Sequence, residues 1–330
     1  MAFGSSCPWL SSRRMEMPFS RNEKLGYAAF LGASLIWGFS FMFTKRALDH
    51  LDGRLFDLLT YRFVISSAVM LMLWALRLIK IDFRGKDMKG LLVMAILQPG
   101  AYFIFETMGI DRVATSEVGL ILAMFPIVTT VFGVAFLKEK VTSKHWGFII
   151  FSVLGVIIIN GFGYKPGSST NLGRFFLIMA VLIGTTYNML SRKLSKQFTA
   201  EERTLAMMIL GAVFFGSIAL FNHFKAGTLG ILVSSLVDPS FTFSIAYLSI
   251  GCSLLAFFFV SFSATHLELS KASVLGNANT LVSVLAGVLI LREPFYWYHI
   301  LGGVIIVTGV IGAALASRMM LAETEKAQRG

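Results

Sequence analysis

Residues 133–139 read Gly133-Val134-Ala135-Phe136-Leu137-Lys138-Glu139, and residues 287–293 read Gly287-Val288-Leu289-Ile290-Leu291-Arg292-Glu293. The second stretch is the first displaced by 154 positions, with a glycine, a leucine, a basic residue and a glutamate in register. Each closes an apolar run, 116–137 in one case and 270–291 in the other. About 20 mostly apolar residues let a helix cross the hydrocarbon core of a bilayer, so each run is long enough for one span. The same offset carries Ser116 to Ser270, His145 to His299 and Gly155 to Gly309. Earlier, Gly38 and Arg46 match Gly184 and Arg192 at an offset of 146. The chain therefore reads as a repeat, with an insertion between the two registers, most simply in the stretch 223–240.

Working outward, ten apolar segments meet the length criterion: 26–44, 56–78, 89–110, 116–137, 145–162, 172–190, 203–222, 241–263, 270–291 and 299–317. The predicted fold is an all-α membrane protein of ten transmembrane helices. With five spans per copy, an odd number, the second copy sits upside down relative to the first, giving two inverted five-helix repeats. The expected organisation is a tail at 1–25, repeat one at 26–162, a linker at 163–171, repeat two at 172–317 and a tail at 318–330. Residues 223–240 are expected to form the longest internal loop, closed by Asp238-Pro239. Residues 1–24 lack the apolar stretch of a signal peptide. Met15 and Met17 are alternative starts to Met1.

Composition agrees. Of 330 residues, 56% are hydrophobic and 14% charged, and the mean hydropathy is +0.74. A soluble domain carries roughly 25% charged residues, and disorder needs low hydrophobicity. The net charge of +11 does not point to nucleic acid. With the N-terminus inside, about 20 Lys and Arg fall in inside segments and about 8 outside, the bias of the positive-inside rule. Both termini are thus expected in the cytoplasm, in a multi-pass plasma (inner) membrane protein. Two cysteines make no disulfide framework. No phosphate-binding Gly-x-x-x-x-Gly-Lys-Ser/Thr loop occurs, so no ATPase is expected, and no cofactor or metal is expected either.

The chain resembles the drug/metabolite transporter superfamily, in the form of a transporter with two EamA repeats. The resemblance rests on Leu35-Ile36-Trp37-Gly38-Phe39-Ser40-Phe41, on Tyr61-Arg62-Phe63, on Pro126, and on the repeated Leu137-Lys138-Glu139 and Leu291-Arg292-Glu293. It covers residues 25 to 318. Where the family often has a second proline, equivalent to Pro126, this chain has Thr280. The resemblance implies a secondary transporter exporting small metabolites, amino acids or drugs by alternating access. Inverted repeats of this kind place the substrate site near the midplane, with the halves rocking about it.

Ionisable groups inside spans are costly, by about 2.5–3.5 kcal/mol on insertion scales, so each asks for a reason. Arg62 and Glu106 stand out. At similar depth on antiparallel neighbours, they either serve a substrate ammonium or a proton at Glu106, tuned by Arg62, or form a static ion pair, or Arg62 snorkels to the interface. Pro126 is expected to loosen the fourth span. Asn277, Asn279 and Thr280 make the ninth unusually polar, either lining the cavity or joining helices. Gln98-Pro99-Gly100 interrupts the third span, with Tyr102 following. Trp37, Tyr187 and Asn188 complete the candidate cavity; for the stretches 98–100 and 184–188 the alternative is close helix packing through small residues. Glu139 and Glu293 read as structural, pairing with basic residues or backbone donors at helix junctions. Expected partners are membrane lipids and a small-molecule substrate, without nucleic acid, and a homodimer is compatible with the sequence. The alternatives to a transporter are an intramembrane enzyme acting on lipid, for which no acid–base pair is evident, and a non-transporting membrane sensor or partner.

Overall fold

The structure is a computed structural model that describes residues 21–137, 143–162, 169–194, 196–256, 258–259 and 278–329. Among these residues every regular element is a helix. The order is α1 (Arg21–His50), α2 (Leu55–Ala75), α3 (Met88–Arg112), α4 (Thr115–Leu122), α5 (Phe125–Leu137), α6 (Ser143–Phe162), α7 (Ser169–Leu194) and α8 (Ala200–Ala226). There follow α9 (Leu229–Ser234), α10 (Pro239–Leu255), α11 (Ala278–Leu285, continued by a wider turn over Ala286–Ile290) and α12 (Trp297–Arg329). Among the described residues, six helices are long and apolar enough to cross a membrane, α4 and α5 counting together as Thr115–Phe136, or seven if the bent pair Leu229–Val237 and Pro239–Leu255 counts as one span. Three further apolar helices are shorter: Trp146–Ile159, Asn279–Ile290 and Trp297–Gly309.

Local chemistry sets several ends. Thr199 caps α8 through a reciprocal pair: the Glu202 N–H donates to Thr199 Oγ1 at 3.3 Å, and the Thr199 N–H donates to Glu202 Oε2 at 3.0 Å. This pairing satisfies two backbone donors at once. Gly227, at φ +65°, closes α8 in the left-handed conformation that glycine adopts without steric cost. Asp238 caps α10, accepting from the Phe241 N–H at 2.7 Å, and Pro239 follows at the first helical position.

Expectations on several segments are corrected. Residues 223–240 are not a loop: α8 runs to Ala226, α9 follows at once, and α9 meets α10 at a 93° bend. The apolar Leu229–Ser234 makes a short helix where the turn signals Gly227 and Asp238-Pro239 suggested loop. Helix α1 begins at Arg21, and α12 continues to Arg329, so residues 318–329 extend the last helix. Helix α7 begins at Ser169, inside the stretch expected to be linker. Pro126 falls inside the fourth span, Thr115–Phe136, and the helix is interrupted just before it, at Ala123–Met124, as expected where a proline supplies no N–H to the carbonyl four residues back.

The close packing joins helices from the two sequence halves rather than helices within one. At the crossing of α6 and α12, a Cβ on Gly155 would stand 2.6 Å from the Gly302 carbonyl oxygen, and one on Gly309 would stand 2.8 Å from that of Phe148. Under the 154-residue offset these two approaches exchange. The Ser152 hydroxyl donates to the Ile306 carbonyl at 3.1 Å, across the same offset. Likewise Gly38 of α1 faces Asn279 of α11, and Gly184 of α7 faces Phe125 of α5. Between α2 and α8, Phe63 and Phe215 stack at 5.5 Å within an apolar cluster that includes Leu59, Phe103 and Phe241.

Candidate substrate cavity

A cavity of about 330 Å³ lies between these helices. Helix α1 contributes Phe30, Ser34, Trp37, Ser40 and Phe41, and α2 contributes Arg62. Helix α3 contributes Gln98, Tyr102, Phe103 and Glu106, because its course is interrupted there. Gln98 departs from helical dihedrals (φ −146°, ψ 117°), and the Tyr102 N–H donates to the Leu97 carbonyl five residues back. This wide turn falls on the Gln98-Pro99-Gly100 stretch, where proline supplies no N–H. The remaining wall includes Gly119, Leu122 and Phe125 from α4 and α5, Gly184, Tyr187 and Asn188 from α7, and Asn279 and Thr280 from α11.

Arg62 and Glu106 are each 7% exposed, yet neither makes an ion pair among the described residues. Each charge is held by a different neighbour. The Arg62 guanidinium carbon sits 4.4 Å from the Phe103 ring centroid, and its Nε donates to Ser253 Oγ at 3.3 Å. Ser253 in turn donates to the Leu248 carbonyl at 3.0 Å, in the wide turn of α10. Glu106 Oε1 accepts from the Tyr102 hydroxyl at 2.6 Å, one helical turn away. The structure thus brings the two charges to one cavity without pairing them. Spacing alone, which places them at one depth, does not disclose that Phe103 and Tyr102 hold them.

The other candidates are placed as follows. Trp37 Nε1 donates to the Cys252 carbonyl at 3.2 Å, fixing the indole between α1 and α10. The Tyr187 hydroxyl donates to Met207 Sδ at 3.1 Å. Thr280 Oγ1 donates to the Gly119 carbonyl at 3.3 Å, joining α11 to α4, so it both lines the cavity and links helices. Asn279 Oδ1 is buried and accepts no hydrogen bond among the described residues. Asn277 lies outside the described residues, as does the side chain of Pro126. Glu139 lies outside them too.

Glu293 binds backbone donors. Its carboxylate accepts from the Thr115 N–H at 2.7 Å, the Ser116 N–H at 3.0 Å and the Ser116 hydroxyl at 3.1 Å, capping α4. Arg292, at φ +54°, turns the chain so that Glu293 can reach back. A second buried pair was not singled out from sequence: Arg174 of α7 donates from Nε to Glu117 Oε1 of α4 at 2.5 Å. Its signal was two opposite charges near the starts of two apolar spans. Such positions read as ordinary helix-end charges.

Both halves of the chain, residues 24–161 and 171–315, match the EamA-like transporter family. The chain is 35% identical over 288 residues to a Bacillus subtilis (strain 168) protein named uncharacterized transporter YcxC, spanning 87% of this chain and 92% of that one. It is 25% identical over 290 residues to uncharacterized transporter YetK of the same organism, spanning 86% and 85%. An uncharacterized transporter of Archaeoglobus fulgidus is 23% identical over 274 residues, spanning 83% and 93%. A crystal structure shares the fold with a TM-score of 0.59 at 18% identity, over 89% of this chain and 98% of that one. With both halves matched, the chain is a membrane protein that belongs to the EamA-like transporter family.

Proposed function

We propose that this protein is a secondary transporter whose central cavity binds a small zwitterion with an apolar body, an amino acid being the simplest case. One observation carries the reading: Arg62 and Glu106 line the same cavity, both buried and not paired with each other. A buried charge without a counter-charge is expensive. A ligand carrying a carboxylate for Arg62 and an ammonium for Glu106 offsets both costs at once. The walls of Trp37, Phe41, Phe103 and Phe125 suit an apolar side chain, and the volume is at the low end of the 300–1,000 Å³ range of ligand pockets.

The ten-span inverted repeat belongs to the same proposal. The three shorter apolar helices complete the ten, and the reciprocal Gly155–Gly302 and Phe148–Gly309 approaches support a two-fold relation between the repeats. Alternating access then moves groups of helices drawn from both repeats, since the tight packing runs between repeats. The charge bias supports an inner-membrane location with both termini cytoplasmic. Export, driven by the substrate or a proton gradient, is the direction that the family resemblance implies.

The test is ligand-induced thermal stabilisation of purified protein by leucine, leucinamide and 4-methylpentanoate. Leucinamide lacks the carboxylate and 4-methylpentanoate lacks the ammonium. Stabilisation by the zwitterion alone, lost in Arg62→Gln and Glu106→Gln, is the expected result. Equal stabilisation of wild type and both variants would remove these residues from the site.

A further inference from the structure

Helices α2 and α8 end in the same backbone motif, and one residue sets them apart. At the end of α8 the Thr228 N–H donates to the His223 carbonyl at 2.9 Å, and the Gly227 N–H to that of Phe224 at 3.3 Å. At the end of α2 the Leu78 N–H donates to the Leu73 carbonyl and the Arg77 N–H to that of Trp74, both at 2.9 Å. Each is the paired closure that turns one residue into the left-handed region, where glycine is usual. In α8 that residue is Gly227, at φ +65°. In α2 it is Arg77, at φ +59°. A side chain there crowds Cβ against a backbone carbonyl, a cost that glycine avoids. Such outliers persist where something gains from the side chain.

Among the described residues nothing in the protein gains from it. The Arg77 side chain is exposed and makes no hydrogen bond, ion pair or ring contact with them. Its neighbours Trp74, Leu76 and Leu78 are apolar and 49%, 61% and 68% exposed. Helix α2 is long and apolar enough to cross the membrane. Trp74, in its last turn, sits where tryptophan marks the change from acyl chains to headgroups. From that level an arginine stem reaches the phosphates. The segment that follows carries the same charge. Lys80, Arg84 and Lys89 are exposed and unpaired among the described residues, whereas Lys86 is matched by Glu202 at 2.5 Å. The two carboxylates between them, Asp82 and Asp87, each accept a backbone N–H, from Arg84 and Lys89, at 3.0 Å. Four unpaired cations thus stand against two carboxylates beside an exposed apolar surface.

We propose that Arg77 binds the headgroup of an anionic phospholipid where α2 leaves the membrane. The guanidinium presents two parallel N–H donors to the phosphodiester, a match that lysine lacks. Trp74, Leu76 and Leu78 cover the glycerol backbone and the first methylenes of the acyl chains. A zwitterionic lipid offers the same phosphate but brings its own ammonium to a surface that is already positive. A phosphoglycerol headgroup keeps its charge uncompensated and is drawn to the basic segment, as anionic lipids are to basic residues beside a span. A soluble phosphate or a nucleic acid would satisfy the cations but leave Leu76 and Leu78 uncovered. The site lies outside the central cavity and is independent of the ligand proposed there.

The test is thermal unfolding of the purified full chain in dodecyl maltoside, alone and with added dioleoyl phosphatidylglycerol, dioleoyl phosphatidylcholine or glycerol phosphate. Phosphatidylglycerol is expected to raise the unfolding temperature of wild type more than phosphatidylcholine does, as a ligand of the folded state must. Glycerol phosphate should leave it unchanged. Arg77→Gly should unfold at or above the wild-type temperature in detergent alone, because glycine takes this conformation freely. It should nevertheless lose more than half of the difference between the two lipids. Lys225→Gln, which removes an exposed cation near the end of α8, should keep that difference. A difference that survives in Arg77→Gly, or falls as far in Lys225→Gln, overturns the proposal. Equal stabilisation by both lipids, or the same stabilisation by glycerol phosphate, overturns it as well. So does an Arg77→Gly protein less stable than wild type in detergent alone, which would give the side chain a role inside the protein. None of these outcomes touches the reading of the central cavity.

Discussion

Two arginine–glutamate sets are buried in this protein, and they are built in opposite ways. Arg174 and Glu117, 5% and 4% exposed, meet directly across the two halves of the chain. Arg62 and Glu106, each 7% exposed, line a cavity and are held apart by Phe103, Ser253 and Tyr102. The residue types and burial are the same, so neither distinguishes a strut from a binding site. What differs, among the described residues, is whether the two charges meet in a direct ion pair. A closed pair has no charge left for a ligand, whereas two separated charges facing one cavity do.

The comparison can be broken most severely at the closed pair. Glu117→Ala leaves Arg174 buried without its carboxylate, a loss of about 3–5 kcal/mol. We expect a collapse of the folded fraction, read by thermal unfolding in detergent and by size-exclusion profile. Glu117→Leu combined with Arg174→Met should recover most of it, since an apolar replacement of both partners is often neutral. A Glu117→Ala protein as stable as wild type would make the pair ornamental.

The open set should behave in reverse. Arg62→Gln and Glu106→Gln remove no internal ion pair, so unfolding should change by less than about 1 kcal/mol. Ligand affinity should fall roughly 10- to 100-fold, the worth of a hydrogen bond to a charged group, about 1.5–3 kcal/mol. Calorimetric titration separates these effects. Lost stability with retained affinity would place Arg62 and Glu106 with the structural pair.

Smaller effects sharpen the same contrast. Gly155→Ala adds a methyl group against the Gly302 carbonyl at the α6–α12 crossing. Overpacking there should cost about 1–3 kcal/mol of stability and leave affinity alone. Tyr102→Phe removes the 2.6 Å bond to Glu106, and should weaken binding by about 1 kcal/mol, roughly fivefold. A Gly155→Ala variant that loses affinity without losing stability would show the crossing to be coupled to the cavity.

Much of this was legible in the sequence because it rests on strong local signals. Apolar runs bounded by charges gave the long helices, and Gln98-Pro99-Gly100 marked the interruption of α3. The repeated Leu-basic-Glu ending pointed to a structural glutamate, and Glu293 caps α4. Trp37, Arg62, Tyr102, Glu106, Tyr187, Asn188, Asn279 and Thr280 share one cavity because polar residues in apolar helices face inward. The rest depended on tertiary geometry. Spacing along α3 could not show that Phe103 receives the Arg62 guanidinium, nor that the break before Pro126 comes at Ala123–Met124. Glu117 and Arg174 escaped notice because a charge near the end of an apolar span is ordinary until its partner is seen. The bend between α9 and α10 was hidden because its helix is only Leu229–Ser234, too short for a periodic pattern.

The central claim is that a zwitterion crosses the membrane through the cavity between Arg62 and Glu106. Counterflow in proteoliposomes tests it most directly, with apolar amino acids loaded inside and the same compounds labelled outside. The predicted result is transient accumulation of the labelled zwitterion by wild type, none of labelled leucinamide or 4-methylpentanoate, and none of any by folded Arg62→Gln or Glu106→Gln. Counterflow undiminished in both variants, or carried equally by leucinamide, would contradict it.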